Sequence, residues 1–356
     1  MIIVSASACE PLVTTFEEVE EAQYYQSSTL TSPSTGVDTL LIMTWNIKYG
    51  GGDIDFWWAC YDDRVLMTEA EVMVNLEAIA ARIRQMDPDI LLMQEVDVQS
   101  KRTAYVDEMQ YLLDYTDLNY GVYASMWRTQ YAPSDGLGRA DLGPAILSRW
   151  ELRDAERIGL ELRTDQDALT RYFYLRRCIV KAEVAIAGWE PYQVVNVHAA
   201  AFSQDGTKRK HIARFKDELD AIRDAGGLFV AGGDLNALPP GSQRVKDFPD
   251  TKCAGGDFES GDYSPETDWL NDLYGDYAPA IPIEEYQLAL DQSPYYSYGD
   301  KPDSLGFSRK LDYLFTNSQW VPGSGTTHQD IASEGTTLSD HAPISVRLVL
   351  ESANAQ

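Results

Sequence analysis

The chain has 356 residues, 44% hydrophobic and 11% aromatic, enough for a large buried core in one large α/β domain or two domains of typical size. No apolar run approaches the ~20 residues that span a bilayer, so a soluble or at most tethered protein is expected. Fifty-six acidic residues against 29 Lys and Arg leave a net charge of -27; such a surface disfavours non-specific nucleic-acid binding, although a bound metal and a local basic patch override the mean field at a site.

The first nine residues, M-I-I-V-S-A-S-A-C, place small residues before Cys9 after a short apolar stretch. They resemble the end of a bacterial lipoprotein signal, without its basic start and with Ala6 where leucine is usual. A start placed too far downstream accounts for both defects. It makes Cys9 a lipid anchor, residues 10–37 an acidic tether, and the protein exported or bound to the cell envelope. The alternative is an ordinary disordered N-terminus, with a cytoplasmic location open. Cys9, Cys60, Cys178 and Cys253 form no C-x-x-C pair and are too widely spaced for a zinc motif. Cys178, in an apolar run, is expected as an isolated buried thiol. Cys60 and Cys253 lie in loops and can pair if the protein is exported.

One domain is expected over residues 38–352, beginning near Thr39. Leu40-Leu41-Ile42-Met43 is wholly apolar, as suits a strand covered on both faces. Gly50-Gly51-Gly52 and Phe56-Trp57-Trp58 follow in a loop. Val72, Leu76, Ile79, Ala80, Ile83 and Met86 share one helical face, with Thr68 and Glu71 as a capping box and Asp87-Pro88 as the stop. Ile90-Leu91-Leu92-Met93 is a second buried strand, Ala145-Ile146-Leu147 a short apolar run, and residues 172–186 hold one or two strands. Val194-Val195-Asn196-Val197 is a further strand. Ile212, Phe215, Leu219 and Ile222 mark a second helix that stops at Gly226-Gly227, before the strand Leu228-Phe229-Val230-Ala231. Residues 239–308, rich in Gly, Pro, Asp and Tyr, are expected as a loop-dominated excursion with one short helix near 283–290. Strands resume around Leu311 to Phe315 and over Pro343 to Leu350. Strands alternating with helices predict an α/β fold.

Buried strands in this order end at, or are flanked by, polar groups. Asn46 follows the first and Glu95 the second; His198 follows the Val194 strand, and Asp234 and Asn236 the Leu228 strand. Asp312 lies inside a short strand, and Asp340-His341 precedes the last. Singly each has a structural explanation: a turn cap, a loop carboxylate, a satisfied core histidine. Together they offer hard oxygen ligands in Glu95, Asp340, Asn46 and Asp234, suited to Mg2+ or Mn2+ rather than zinc. Two histidines add proton transfer near neutral pH and a cationic donor to phosphate. Of the other two histidines, His211 is expected to be solvated at a helix start and His328 to lie in a Gly/Thr-rich loop.

Thr44-Trp45-Asn46, Leu92-Met93-Gln94-Glu95, Asn196-Val197-His198, Gly233-Asp234-Leu235-Asn236, Leu311-Asp312-Tyr313 and Ser339-Asp340-His341-Ala342-Pro343 together resemble the endonuclease/exonuclease/phosphatase superfamily, which has the pancreatic deoxyribonuclease fold. The resemblance spans roughly residues 40–350, in family order. It implies a four-layered α/β sandwich, two packed mixed sheets flanked by helices. It implies Mg2+ (or Mn2+) held chiefly by Glu95 with Asn46 and Asp340 nearby. His341, oriented by Asp312, is then the general base, His198 a donor to a phosphate oxygen, and Asp234 and Asn236 position the nucleophile or the phosphate. Pro144, in Gly143-Pro144-Ala145, stands where the family often has Asn and removes a side-chain amide.

Fold does not choose the substrate. A small or lipid-derived phosphodiester or phosphomonoester is the working expectation, a nuclease the alternative, and a catalytically silent phosphate-binding module the alternative of another class. Trp57, Trp58 and Tyr61 are a substrate platform or loop packing. Tyr295-Tyr296-Ser297-Tyr298 is a lid or loop packing. Lys208, Arg209 and Lys210 are a phosphate-binding cluster or a solvated helix start. The acidic excess also fits adaptation to high salt, which screens self-repulsion. On that hypothesis thermal stability falls as salt is withdrawn; a melting temperature indifferent to salt contradicts it.

Overall fold

The computed structural model describes residues 12–33, 36–54, 56, 64–201, 203, 205–249 and 261–352. Cys9, Trp57, Trp58, Cys60, Tyr61 and Cys253, and with them the expected anchor, aromatic platform and disulfide, lie outside the described residues.

The strands begin with β1 Val19–Glu21, β2 Gln23–Gln26, β3 Thr39–Asn46, β4 Ile90–Asp97, β5 Tyr120–Tyr123 and β6 Trp127–Ala132. They continue with β7 Gly136–Ser148, β8 Leu152–Gly159, β9 Cys178–Val184, β10 Tyr192–His198, β11 Leu228–Asp234 and β12 Ala278–Pro279. The last are β13 Asp312–Thr316, β14 Gln319–Trp320, β15 Thr326–Thr327, β16 Ala332–Ser333, β17 Thr336–Thr337 and β18 Ile344–Val349. The helices are α1 Glu69–Met86, α2 Glu108–Asp114, α3 Ala168–Phe173, α4 Thr207–Asp224, α5 Asn271–Asp276 and α6 Ile283–Leu288. None of them is long and apolar enough to cross a membrane.

Two large mixed sheets result. One has the order β1-β8-β9-β10-β11-β13-β12; the other runs β14-β18-β3-β4-β7-β5-β2, with β15 added on β18 and β6 on β7. β16 and β17 pair only with each other. β3–β4 and β10–β11 run parallel, joined by α1 and α4 as crossover helices. The expected capping box starts α1: Glu71 N–H donates to the Thr68 hydroxyl, and the Glu71 carboxylate accepts from Thr68 N–H. It stops at Asp87, whose left-handed φ of 56° turns the chain into Pro88.

Alternation along the strands builds the layers. Leu40 and Ile42 of β3, Leu92 of β4 and Ile146 of β7 face Val180 of β9, Val194 of β10 and Val230 of β11 between the sheets. On the outer face of one sheet, Met43, Trp45, Leu91 and Met93 pack on Ile79 and Ile83 of α1 and Leu112 of α2. On the outer face of the other, Val195, Val197 and Phe229 pack on Ile212, Phe215 and Leu219 of α4. This is the expected four-layered α/β sandwich.

The expected boundaries need correction at the N-terminus. Val13 is buried and bridges to Thr129, β1 pairs with β8, and β2 pairs with β5. The described residues 12–33 therefore belong to the fold rather than to a tether. Val19-Glu20-Glu21 and Gln23 to Gln26 are too short and polar to show periodicity, and only their sheet neighbours make them strands. In the 239–308 excursion the expected short helix is α6, and α5 is a second. Cys178 is a free buried thiol, as expected.

One step further along the strands, the layer between the sheets turns polar. Thr44, Gln94 and Asn196 are fully buried there. Gln94 Nε2 donates to Thr44 Oγ1 at 3.1 Å and to Asn196 Oδ1 at 2.7 Å. Asn196 Nδ2 donates to the carbonyls of Met93 at 2.7 Å and Ala145 at 2.8 Å. The rung ties β10 of one sheet to β3, β4 and β7 of the other. Asn196→Leu removes the short acceptor of Gln94 Nε2 and the side-chain donor to the carbonyls of Met93 and Ala145 in the core. We expect it to lower the unfolding free energy measured in urea by about 3 kcal/mol or more; a loss under about 1 kcal/mol would show that the rung does not hold the sheets together.

Candidate active site

The same period of two carries the strands from apolar to polar to functional positions. β3 runs Ile42, Thr44, Asn46; β10 runs Val194, Asn196, His198; β11 runs Val230, Gly232, Asp234; β13 enters at Asp312 before Leu314. In register, His198 lies opposite Asp234, and Asp234 opposite Asp312. Gly232 and Gly233 permit the crowding: a Cβ on either would stand 2.0 Å from a neighbouring carbonyl, and Gly233 has a φ of 123°.

The resulting cluster is compact. Asn46 Nδ2 donates to Asp234 Oδ2 at 3.2 Å and to Glu95 Oε1 at 3.4 Å. His198 Nε2 lies 3.4 Å from Asp234 Oδ2 and 3.9 Å from Glu95 Oε1. His341 Nδ1 pairs with Asp312 Oδ2 at 2.8 Å, and its Nε2 lies 3.6 Å from Asp234 Oδ2. Asn236, at a left-handed φ of 52°, donates its N–H to Asp234 Oδ1 at 2.9 Å and its Nδ2 to Ala199 O at 3.1 Å. All eight expected residues lie in or beside this cluster.

Glu95 reaches it through a defect in β4. The β4–β7 ladder shifts register between Met93 and Val96, and Glu95 sits at a φ of 55°. Without this bulge, alternation would aim Glu95 away from Gln94's face. Met93 pairs with Ala145 and Val96 with Gly143, so Pro144 stands opposite the bulge. Its own backbone faces the end of β5 rather than β4, Pro144 O accepting from Ala124 N–H at 3.1 Å.

The Asp340-His341 loop is fixed from several sides. Ser339 Oγ donates to Asn46 O at 2.7 Å, and Trp45 Nε1 to His341 O at 2.9 Å. The excursion contributes Ser297 to Gly299, lying along Asp340 to Ala342: Ala342 N donates to Ser297 O at 2.7 Å, and Gly299 N to Asp340 O at 3.0 Å. Ser297 Oγ also accepts from the N–H of Asp312 at 3.1 Å. The Tyr298 ring lies 4.8 Å from the His341 ring. Of the expected tyrosine stretch, Tyr298 therefore packs on the site itself.

Burial and charge set the protonation states. Burial raises Asp234 to about 7, with His341 pulling it down and Asp312 pushing it up. Burial works against a charge on His341, but Asp312 and Asp234 outweigh it and raise the imidazole to about 10. Burial, then Arg177 and His341, hold His198 well below its usual value. The surroundings of His198 thus favour a neutral donor over the cationic one expected. Burial and then the Asp340 charge raise Glu95.

Two sets of groups can receive a cation. Asp234, Asp312 and His341 each offer a ligand atom within 4.8 Å of the others. There, however, His341 Nδ1 and Asp312 Oδ2 already satisfy each other in a hydrogen bond. Glu95 and Asp340 are carboxylates that repel each other across a shared cleft, with the Asn46 side chain at Glu95. A hard divalent ion fits the two carboxylates and reverses their repulsion; Asn46 would join them only with its amide turned, since its Nδ2 faces Glu95 and its Oδ1 accepts from Lys48 N–H at 3.1 Å.

Several residues at the site were given no role of their own by the sequence. Arg177 is buried on the cleft wall; its Nη1 donates to His198 O at 3.1 Å, and its Nε has no hydrogen-bond partner among the described residues. Gln94, Asn196 and Ser297 serve through hydrogen bonds that only the fold creates. The basic cluster divides. Lys208 is buried and bonds both Glu266 oxygens and Asn236 O at 2.8 Å, while Arg209 and Lys210 are exposed. Lys208 therefore braces the Asp234–Asn236 turn instead of being solvated. His211, expected in solvent, is buried: its Nδ1 accepts from Ala200 N–H at 3.1 Å, and its Nε2 lies 2.7 Å from Glu161 O. Docking of α4 on the end of β10 makes this pocket. His328 is structural, paired with Ser345 Oγ at 2.8 Å.

Glu95, His198, Asp234, Asn236, Asp340 and His341 open onto a cleft of about 660 Å3. Solved structures with the same fold include the endonuclease/exonuclease/phosphatase from Beutenbergia cavernae DSM 12333, at 18% identity and a TM-score of 0.54 over 90% of this chain and 74% of that one. A Bacteroides vulgatus endonuclease/exonuclease/phosphatase shares 16% identity and a TM-score of 0.54 over 88% and 99%. The humanized TDP2 of D. rerio shares 13% and 0.52 over 87% and 99%. No curated protein matches the chain. Residues 43–341 match the sequence pattern described as "Endonuclease/Exonuclease/phosphatase family", a range that includes all eight residues of the cluster. The chain belongs to that family.

Proposed function

We propose that the protein is a divalent-metal-dependent phosphoesterase that hydrolyses a phosphodiester or phosphomonoester by in-line attack of water. One observation carries this: the Asp312–His341 pair and His198 share a single buried cluster and a single cleft with Glu95 and Asp340. Glu95, with Asp340 and Asn46, would hold Mg2+ or Mn2+. When bound, such an ion polarises a phosphoryl oxygen, offsets charge developing there and opposes protonation of the nearby His341.

The remaining steps belong to the chain. His341 Nε2 takes the proton of the attacking water. Asp312 on Nδ1 holds the ring in the tautomer that leaves Nε2 free, and stabilises the imidazolium that forms. Asp234, whose carboxylate titrates near neutrality, lies within reach of both histidines and positions the water. His198, neutral, donates one N–H to a non-bridging oxygen. Arg177, a buried guanidinium without a carboxylate partner among the described residues, faces the same anion. Asn236 and Lys208 keep the turn that carries Asp234 rigid.

A nucleic-acid substrate is the second reading within the family; the net charge of -27 opposes it. A catalytically silent module is opposed by the intact cluster. Bis-p-nitrophenyl phosphate, p-nitrophenyl phosphate, sphingomyelin and plasmid DNA, each with and without Mg2+ or Mn2+, provide the test. We expect metal-dependent hydrolysis of the small esters, with kcat falling about 10²- to 10⁴-fold in Glu95→Ala and in His341→Ala. Rates indifferent to metal, or unchanged in His341→Ala, contradict the proposal.

A further inference from the structure

The cleft is divided chemically. Its ionic end is the cluster just described. Its other end is built from β6, β7 and the α3–β9 connection, with Met126, Trp127, Leu142, Phe173 and Leu175 on its wall. Among the described wall residues between 126 and 142 and between 169 and 175, Asp135, in the β6–β7 turn, is the one carboxylate, and Lys101 lies 3.9 Å from it. The two ends are joined directly. Leu142 pairs with Asp97 on one side and with Trp127 on the other. Asp97 is two residues past Glu95, so the apolar wall begins about 7 Å along the strand from Glu95 and about 5 Å across. On the opposite side Leu175 is two residues before Arg177, which bonds the carbonyl of His198.

The apolar wall is preorganised. Met126 and Leu142 are buried in the inter-sheet core, with Trp127 and Leu175 packed against it. Trp127 Nε1 donates to Phe173 O at 2.9 Å, which satisfies the indole and ties α3 to β6. The Tyr131 and Phe173 rings lie 5.3 Å apart. At the rim, Leu169 of α3 is 70% exposed. A cleft of about 660 Å3 is in the range of about 300–1,000 Å3 that accepts a drug-sized ligand, far more than one phosphoryl group fills.

We infer that the substrate's phosphoester carries a hydrocarbon arm, which lies along the wall of Met126, Trp127, Leu142, Phe173 and Leu175 while the phosphate sits at the Glu95–His341 end. The inference rests on the phosphoesterase reading and narrows it to amphiphilic esters of the lipid type. A neutral arm also enters without the repulsion that a polyanion meets at this surface.

The test is a series of methyl, butyl and octyl p-nitrophenyl phosphates, with Mn2+ and each ester below its micelle concentration. The expected result is a kcat/KM that rises roughly two- to fourfold per buried methylene. The octyl-to-methyl ratio is expected to fall at least about tenfold in Phe173→Ala, and measurably in Leu169→Ser, whose exposed site makes misfolding no explanation. A ratio near one in the wild type overturns the inference and leaves the phosphoesterase reading standing. A steep ratio kept in both variants overturns the placement of the arm. Hydrolysis of none of the esters overturns the phosphoesterase reading and this inference with it.

Discussion

The hydrogen bond from Gln94 to Asn196, at 2.7 Å across the gap between the sheets, sets the register on which the active cluster depends. A purely apolar interface between two sheets tolerates sliding, because one methyl contact replaces another. Buried amides do not, since each displaced donor or acceptor is left without water or a partner. With Gln94, Asn196 and Thr44 locked, the next residue facing inward on each strand has one place to be. Asn46 and His198 are those residues, and β11 and β13 deliver Asp234 and Asp312 beside them through the ladder. The cluster is thus the last rung of a ladder locked one step below it.

Two deviations from regular structure complete the cluster. The bulge in β4 gives Glu95 a positive φ and turns it onto the cleft. The glycines before Asp234 let β10, β11 and β13 approach more closely than side chains would allow. Both bring carboxylates together away from water: burial first, and then the charge of Asp340 on Glu95 and of Asp312 on Asp234, raises the two groups. Such an arrangement is costly in isolation and sensible around a cation and a proton-transfer pair.

The sequence made the fold class and the candidate cluster legible because both depend on local pattern. Apolar runs marked β3, β4, β10 and β11, and a polar residue at each end marked the site. What stayed hidden depends on partners distant in the chain. β1 and β2 are edge strands whose residues look like a polar tail until β8 and β5 pair with them. His211 and Lys208 look like a solvated helix start until β10 and Glu266 cover them. Arg177 and Ser297 reach the site only through backbone carbonyls and N–H groups that sequence spacing does not encode. Pro144 looked like a lost contact, and only register places it between Gly143 and Ala145, the partners of the two residues that flank the β4 bulge.

The proposed metal has two candidate homes, Glu95 with Asp340 and the Asp234–Asp312–His341 trio. Mn2+ titration followed by electron paramagnetic resonance decides between them most directly. We expect Glu95→Gln to weaken Mn2+ binding at least about tenfold and Asp312→Asn to leave it nearly as in the wild type. Binding that survives Glu95→Gln and is lost in Asp312→Asn would contradict that expectation.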